Sequence, residues 1–187
     1  MKEIEILVGV LDSREKALAA LKKFTFHGMK TVKDVYFSHP ENKRMQATGR
    51  SFPKEWLRIR TAEGKHYVAH KVDHFTQKHT WLYSDEFETE IMDVIAMQKI
   101  LASLGYKRLV EIQNRKHVFL TKKYELVLEE VKDLGLFLEV EQINAKPRED
   151  VIRVRADIWK FVRALNINVS PELHVGKPEL MLKKQKK

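Results

Sequence analysis

Apolar and polar residues alternate along much of this chain, in short segments separated by turn residues. Glu3–Val10 is one such segment, with an apolar residue at every second position from Ile4. Trp56–Thr61 and Lys65–Val72 are two more, and the Glu63-Gly64 turn between them predicts a hairpin. Strands joined by short turns favour an antiparallel sheet. About eight strands can be counted, which is enough to close a barrel.

Three other segments have helical spacing. The first begins near Asp12 and is expected to stop at Gly28, the second is Asp93–Leu104, and the third is Glu149–Leu165. Ser38–Glu55 is rich in polar residues, glycine and proline, which predicts a loop. The C-terminal stretch is expected to be irregular. The order of elements indicates an α+β fold.

The chain has 187 residues, which suits one domain. We expect that domain to cover residues 1–180 and a basic tail to occupy residues 181–187. There is no cysteine, so a disulfide framework and a thiolate metal site are excluded. The charged N-terminal residues do not resemble a signal peptide, and no apolar run approaches the roughly 20 residues that span a membrane. A cytoplasmic protein without membrane contact is expected.

Basic residues outnumber acidic ones, and the net charge is +9. This excess favours an anionic partner such as phosphate or nucleic acid.

Like charges recur at positions i and i+2 of the predicted strands, which place both side chains on one face. Lys71 and Arg115 are further basic residues on predicted strands. The like-charged pairs are Glu3 and Glu5, Arg58 and Arg60, Glu88 and Glu90, and Glu139 and Glu141.

These pairs have two interpretations. Each could belong to the solvent face of an ordinary amphipathic sheet. However, like charges side by side repel each other, so four such pairs indicate another purpose. Glutamates suit a hard divalent cation and arginines suit phosphate oxygens. If the sheet curls so that these faces point inward, one cavity holds metal and phosphate together, as phosphoryl or nucleotidyl transfer requires.

Short motifs around these charges follow one another in an order that a known family shares. Each motif is weak alone, but together they cover roughly residues 1–180. In chain order they are Glu3-Ile4-Glu5, Asp34-Val35-Tyr36-Phe37, Leu57-Arg58-Ile59-Arg60, Lys71, Glu88 with Glu90, Leu104-Gly105-Tyr106, Arg115, Leu128-Glu129-Glu130-Val131-Lys132-Asp133-Leu134-Gly135 and Phe137-Leu138-Glu139-Val140-Glu141.

This set resembles the CYTH superfamily, the triphosphate tunnel metalloenzymes, which includes class IV adenylyl cyclases and thiamine triphosphatases. The resemblance implies a closed antiparallel eight-stranded β-barrel, the triphosphate tunnel, with flanking helices. It implies divalent metal, Mg²⁺ or Mn²⁺, held by Glu3, Glu5, Glu129, Glu139 and Glu141. Substrate-binding residues would be Arg58, Arg60, Lys71, Glu88, Glu90 and Arg115. The catalytic set would be Glu3, Glu5, Arg58, Arg60, Lys71 and Arg115.

The middle helix with Leu104-Gly105-Tyr106 is most similar to the cyclase branch, in which ATP becomes cyclic AMP and pyrophosphate. An inorganic or thiamine triphosphatase is the alternative, since it needs the same phosphate wall. Three positions depart from the family pattern: Leu7 and Gln113 stand where lysine is expected, and Glu129 stands for aspartate. The two missing lysines would lower activity unless Lys2, Arg50 or Lys116 substitutes.

A protein that binds nucleotide or polyphosphate with weakened catalysis is therefore a further hypothesis. A nucleic-acid-binding barrel ranks last, because acidic residues beside the basic ones repel a polyanion. The expected ligand is a small triphosphate such as ATP, tripolyphosphate or thiamine triphosphate. The helix Glu149–Leu165 could cover the barrel or pair with a second copy, so monomer and homodimer both stay open.

Overall fold

The protein is described by a computed structural model that covers residues 2–46, 53–146, 148 and 150–185. Within these residues, ten strands form one antiparallel sheet, accompanied by four α-helices and a short 3₁₀ helix, Lys43–Met45. The strands are β1 (Lys2–Glu3), β2 (Glu5–Val10), β3 (Thr25–Ser38), β4 (Glu55–Ala62), β5 (Lys65–Phe75), β6 (Trp81–Ile91), β7 (Lys107–Leu120), β8 (Tyr124–Val131), β9 (Gly135–Gln142) and β10 (Val169–Glu172). The helices are α1 (Arg14–Leu21), α2 (Val94–Ser103), α3 (Val151–Arg163) and α4 (Lys177–Gln185).

The sheet has the strand order β1-β6-β5-β4-β3-β7-β8-β9-β2-β10 and curls into a half-barrel. The predicted α+β fold with an antiparallel sheet is confirmed. The closed barrel of eight strands is not confirmed, because the strand order has two ends, β1 and β10.

The first residues of the chain pair with strands near both ends of the sheet. In β1, Lys2 is aligned with Asp85 of β6, whereas in β2 Glu5 is aligned with Glu141 of β9. Only Ile4 separates the two strands. We call this point, where β1 passes into β2, the seam.

A buried arginine on α3 spans the seam. Arg155 Nη1 donates to the backbone oxygen of Glu5 at 2.8 Å and to that of Leu82 at 3.0 Å. Its Nη2 pairs with the carboxylate of Glu172. The guanidinium thereby joins β2, β6 and β10, and burial lowers its pKa to about 10.

The predicted hairpin between β4 and β5 is present. Its two turn residues, Glu63 and Gly64, have φ values of 51° and 77°. Positive φ at both central positions is the geometry that a two-residue hairpin turn requires. The turn aligns Arg60 with Tyr67 and so sets which side chains of the two strands share a face.

The first helix is shorter than predicted. α1 ends at Leu21, and β3 already begins at Thr25, so Gly28 lies inside a strand rather than at a helix end. The helix is capped by Ser13, whose side chain accepts from the backbone nitrogen of Lys16.

The outer face of the sheet is covered by apolar residues of the helices. Val154, Ile158 and Val162 of α3 are buried in one cluster with Ile4 and Val140. α2 covers a different part of the same face, where Leu101 packs in a cluster with Val35 and Ile59. Each buried aliphatic side chain contributes roughly 1.5–3 kcal/mol. Glu149, the predicted start of α3, lies outside the described residues.

The C-terminal stretch is not irregular, so that prediction is wrong. It forms β10 and then α4, which crosses the expected domain boundary at residue 180. Met181 of α4 is buried in a cluster with Leu7, Tyr36 and Trp56, whose side chains come from the inner face of the sheet. α4 therefore lies over one end of the half-barrel. Of the predicted loop Ser38–Glu55, residues 47–52, including Arg50, lie outside the described part of the chain.

Candidate functional site

The inner face of the half-barrel encloses a cavity of about 470 Å³. Strands β1 to β9 all contribute side chains to it, and residues 174–179, at the start of α4, line it as well. A cavity built from nine strands can bring together groups that lie far apart in the sequence.

Strand alternation explains which side chains enter the cavity. Glu3 and Glu5 line it, while Ile4 between them is fully buried in the outer cluster. The same rule places Arg58 and Arg60 inside and packs Ile59 beneath α2. Four further charged residues of the strands also line the cavity: Lys71, Glu88, Glu139 and Glu141.

Two arginines of β4 are held by carboxylates. Arg58 Nη2 lies 2.6 Å from Glu86 and 3.7 Å from Glu88. Arg60 donates two hydrogen bonds to Asp34 on the neighbouring strand β3. Although burial alone would raise the pKa of Asp34, Arg60 and Arg58 lower it to about 2. Both guanidinium groups are thus preoriented towards the cavity.

Lys71 on β5 faces the seam. Its Nζ lies 2.7 Å from Glu3 and 3.3 Å from Glu5, with Glu86 at 3.9 Å. Burial disfavours the charged lysine, but these three carboxylates raise its pKa well above the usual value. The ammonium group therefore stays charged between the acidic seam and the arginine-bearing strands.

The carboxylates beside Lys71 repel each other. Glu5 and Glu141 are aligned across β2 and β9. Burial, with the nearby charge of Glu139, raises the pKa of Glu5 to about 8. Burial and the charges of Glu5 and Glu3 raise the pKa of Glu141 to about 9. Crowded carboxylates of this kind are an arrangement that an added cation relieves.

A second lysine enters from α4. Lys177 Nζ lies 2.5 Å from Glu139 Oε2 and pairs with Glu129 as well. Glu129 is fully buried, accepts from Asn114 Nδ2 at 2.8 Å, and lies 3.6 Å from Lys116. Burial opposes ionisation of Glu139, but Lys177 and Lys116 lower its pKa far below the usual value.

The predicted basic position on β7 needs correction by one residue. Arg115 is exposed on the outer face, aligned with Glu130, whereas Lys116 lines the cavity. Gln113 also lies on the outer face. The lysine expected at that position would therefore point away from the cavity, and its replacement removes no charge from the cavity wall.

The two glutamates at the end of β6 differ in position. Glu88 lines the cavity, whereas Glu90, on the same face of the strand, is exposed beyond it and pairs with Lys65 at 3.8 Å. Leu7 does line the cavity, but it is buried in the apolar cluster beneath α4. The charge missing at Leu7 is thus missing from the end that α4 covers.

Sequence reasoning overlooked Asp34 and Glu86 as partners of the arginines, and Lys177 altogether. Glu86 lies two residues before Glu88, and Asp34 belongs to one of the short motifs, so alternation along these two segments could have identified both. Lys177 lies in a segment with no strand pattern and carried no comparable signal.

The carboxylates of the cavity suit a divalent cation in their chemistry but not in their present arrangement. The donor chemistry fits, because glutamate oxygens are the ligands that Mg²⁺ and Mn²⁺ prefer. The arrangement does not yet fit: within the described residues, no group of three or more His, Asp or Glu side chains is placed to hold a metal ion. Lysine ammonium groups pair with these carboxylates instead.

The charge balance of the cavity decides what can enter. Its described lining carries eleven carboxylates and seven lysines or arginines. Because the pKa values of Glu5, Glu141 and Glu179 are raised to about 8 or 9, these three carboxyls are largely protonated at neutral pH, and the wall offers no net positive charge to a triphosphate that enters alone. No helix among the described residues is long and apolar enough to cross a bilayer.

Comparison with known proteins identifies the family of this chain. The family model of the CYTH domain matches residues 1–170. A protein of Methanocaldococcus jannaschii that bears the name "putative adenylate cyclase" is 29% identical over 177 residues, covering 90% of this chain and 91% of its own.

Solved structures share the fold. The PH1819 protein of Pyrococcus horikoshii superposes with a TM-score of 0.79 at 24% identity, covering 97% of this chain and 99% of its own. The "putative adenylyl cyclase HpAC1" of Hippeastrum, described as having a dominant triphosphatase activity, gives a TM-score of 0.64 at 16% identity, covering 100% of this chain and 97% of its own. At these identities the structural likeness concerns the fold alone.

Proposed function

Because this chain belongs to the CYTH domain family, we propose that it is a divalent-metal-dependent enzyme that binds a triphosphate in the charged cavity and converts ATP to cyclic AMP and pyrophosphate. The observation that carries the proposal is the meeting of two walls in one cavity. Arg58, Arg60 and Lys116 supply phosphate-binding groups, and the glutamates of β1, β2 and β9 supply carboxylates.

The chain's own residues have separable tasks. Arg58 and Arg60 are positioned to hold phosphate oxygens, since Asp34 and Glu86 prevent the guanidinium groups from turning away. Lys71 and Lys116 add positive charge on strands β5 and β7. Such preoriented charge stabilises the negative charge that develops as the bond to the leaving pyrophosphate breaks.

Glu3, Glu5, Glu139 and Glu141, with Glu129 beside them, are the carboxylates proposed to hold Mg²⁺ or Mn²⁺. When bound, the metal would neutralise phosphate charge and so permit a triphosphate to occupy a cavity that has no net positive charge of its own. The ribose 3′-hydroxyl would attack the α-phosphorus and release its proton to water, while the bond from the α-phosphorus to the bridging oxygen breaks and pyrophosphate leaves.

We further propose that the half-barrel closes into a tunnel at the seam. β1 pairs with β6, β2 pairs with β9, and Arg155 bonds to backbone oxygens on both sides. Closure would hold the carboxylates of Glu3 and Glu5 at a constant distance from Lys71.

A triphosphatase is the second candidate. It is favoured by the description of the Hippeastrum protein, whose dominant activity is of this kind. The phosphate wall would be the same, but water would attack the terminal phosphate. Binding with weakened catalysis, motivated by Leu7, is the third candidate.

Product analysis separates these candidates. The purified chain is incubated with Mg²⁺ or Mn²⁺ and, separately, ATP, tripolyphosphate or thiamine triphosphate, with a chelator as control. Cyclic AMP and pyrophosphate in equal amounts are the expected products from ATP. Orthophosphate would establish the triphosphatase, and unchanged substrates would leave a binding protein.

A further inference from the structure

Lys177 occupies a place that the proposed metal also needs. Its ammonium group bridges the carboxylates of Glu139 and Glu129, and its side chain is only 15% exposed. Glu129 has no exposed surface. This is therefore an interior ion pair and not a surface contact.

The lysine is carried by an element that is separate from the sheet. It begins α4, and the residue before it, Gly176, accepts a backbone hydrogen bond from Leu180. α4 is held by its buried residues Pro178, Glu179 and Met181 and by Lys184, which donates to the backbone oxygen of Asp133. The helix ends in exposed residues 183–185. Because α4 is not part of the sheet, its start can shift while the strands stay paired.

An ammonium group and a hard divalent cation compete for the same oxygens. Once Lys177 pairs with Glu139 and Glu129, their facing oxygens are no longer available to a metal ion. Lys177 thus occupies Glu129 and Glu139, while Lys71 is paired with Glu3 and Glu5.

Resting on the proposed function, we propose that Lys177 is a built-in competitor of the divalent cation. α4 inserts the ammonium group between Glu129 and Glu139, and metal binding at this pair requires Lys177 to withdraw together with the start of α4. In the metal-free state Lys177 neutralises Glu129 and Glu139, and in the metal-bound state the start of α4 is displaced.

The expected effect follows from the populations of the two states. Apparent affinity is reduced by the fraction of molecules that can bind. If Lys177 is inserted in about nine tenths of the molecules or more, its removal raises the apparent Mn²⁺ affinity about tenfold or more.

The first measurement is a titration with Mn²⁺ in the absence of nucleotide, in which binding is detected by electron paramagnetic resonance. Lys177→Met is compared with the wild type and with Lys183→Ala, which removes the same charge from an exposed position of the same helix. We expect tighter binding only in Lys177→Met. Equal affinity in all three proteins, or no binding in Lys177→Met, overturns the proposal.

The second measurement needs no variant and therefore does not depend on whether Lys177→Met folds. Hydrogen exchange of the α4 amides in the wild type is followed as Mn²⁺ is added, and exchange is expected to accelerate in residues 177–185. If α4 stays equally protected, Lys177 is only a nearby charge and the proposal fails, even if Lys177→Met binds more tightly.

These results are independent of catalysis. Glu139→Gln should weaken Mn²⁺ binding if the carboxylates form the metal site, whatever Lys177 does. If the chain binds Mn²⁺ in the expected way but forms no product, the proposal that Lys177 competes with the metal stands and the proposed enzymatic function is wrong.

Discussion

Arg60 holds Asp34 through two parallel hydrogen bonds, from Nε to Oδ1 at 2.8 Å and from Nη2 to Oδ2 at 2.9 Å. The pair joins β3 to β4 on the inner face, and Asp34 is almost completely buried. Bidentate pairing orients the guanidinium plane, so that its remaining donors are directed consistently. The carboxylate therefore acts on the phosphate wall without needing to touch a phosphate.

Replacing Asp34 by Asn should remove a contribution to the free energy of unfolding that depends on pH. The folded-state pKa of about 2 is below the ordinary 3.8, so the ionised carboxylate stabilises the fold fully above about pH 4. That contribution is lost as the pH falls through about 2. At about 1.4 kcal/mol per pKa unit it amounts to about 2 kcal/mol. Urea unfolding should show Asp34→Asn less stable by about this amount at pH 7, with a difference that narrows below pH 4. A difference that stays constant with pH would contradict the assignment.

Arg58→Ala should weaken binding of tripolyphosphate far more than binding of orthophosphate. A charge-assisted hydrogen bond contributes about 1.5–3 kcal/mol, and a longer anion engages more of the wall. We expect about 10- to 100-fold weaker tripolyphosphate binding by calorimetry in the presence of Mg²⁺. Equal losses for both anions would argue against a triphosphate clamp.

Two adjacent residues of β7 provide a matched comparison. Lys116 lines the cavity, whereas Arg115 lies on the outer face. Lys116→Ala should lower triphosphate affinity about tenfold or more, because one charge-assisted contact is lost. Arg115→Ala removes the same net charge and should leave affinity nearly unchanged. The reverse result would show that the strand lies with its other face inward.

Glu139→Gln should abolish metal-dependent turnover while the fold is retained. The amide keeps the size of the side chain but loses the negative charge that attracts a divalent cation. Glu130→Gln, on the neighbouring strand and 54% exposed, is the control. Turnover with Mg²⁺ or Mn²⁺ is measured beside a circular dichroism melt. Full activity in Glu139→Gln would remove Glu139 from the metal ligands.

Arg155→Met should destabilise the fold by about 3 kcal/mol, since it removes the cation of a buried ion pair and leaves Glu172 with Trp159 and His174 as its remaining partners. The control is Arg153→Met, an exposed arginine on the same helix. Urea unfolding measures both. A loss below about 1 kcal/mol for Arg155→Met would show that the seam does not depend on this guanidinium.

Much of the cavity could be predicted because a strand alternates strictly. Ile59 between Arg58 and Arg60 can be buried under a helix only if both arginines point to the opposite side. The same reasoning holds for Val140 between Glu139 and Glu141. Alternation does not show which of the two faces is enclosed, because that depends on the direction in which the sheet curls.

The error at Arg115 has a definite cause. Residues 114–117 are Asn-Arg-Lys-His, so polar side chains occupy both faces of β7 and alternation gives no direction there. The pairing of Lys116 with Glu129 on β8 decides the orientation, and this contact depends on the folded sheet.

Lys177 could not be predicted for a different reason. Its position depends on how α4 packs over one end of the half-barrel through Met181, Leu180 and Leu182, and three adjacent apolar residues form no helical or strand period in the sequence.

The seam at Ile4 also has a consequence for the nascent chain. Lys2 pairs with Asp85 and Glu5 pairs with Glu141, so β1 and β2 leave the ribosome long before their partners exist. Until its partners are synthesised, an unpaired apolar strand is prone to pair with strands of other molecules and aggregate. Glu3 and Glu5 place charge on that strand throughout the delay, and charged residues of this kind discourage such pairing. The two glutamates that we assign to metal binding would then also protect the protein during its own synthesis.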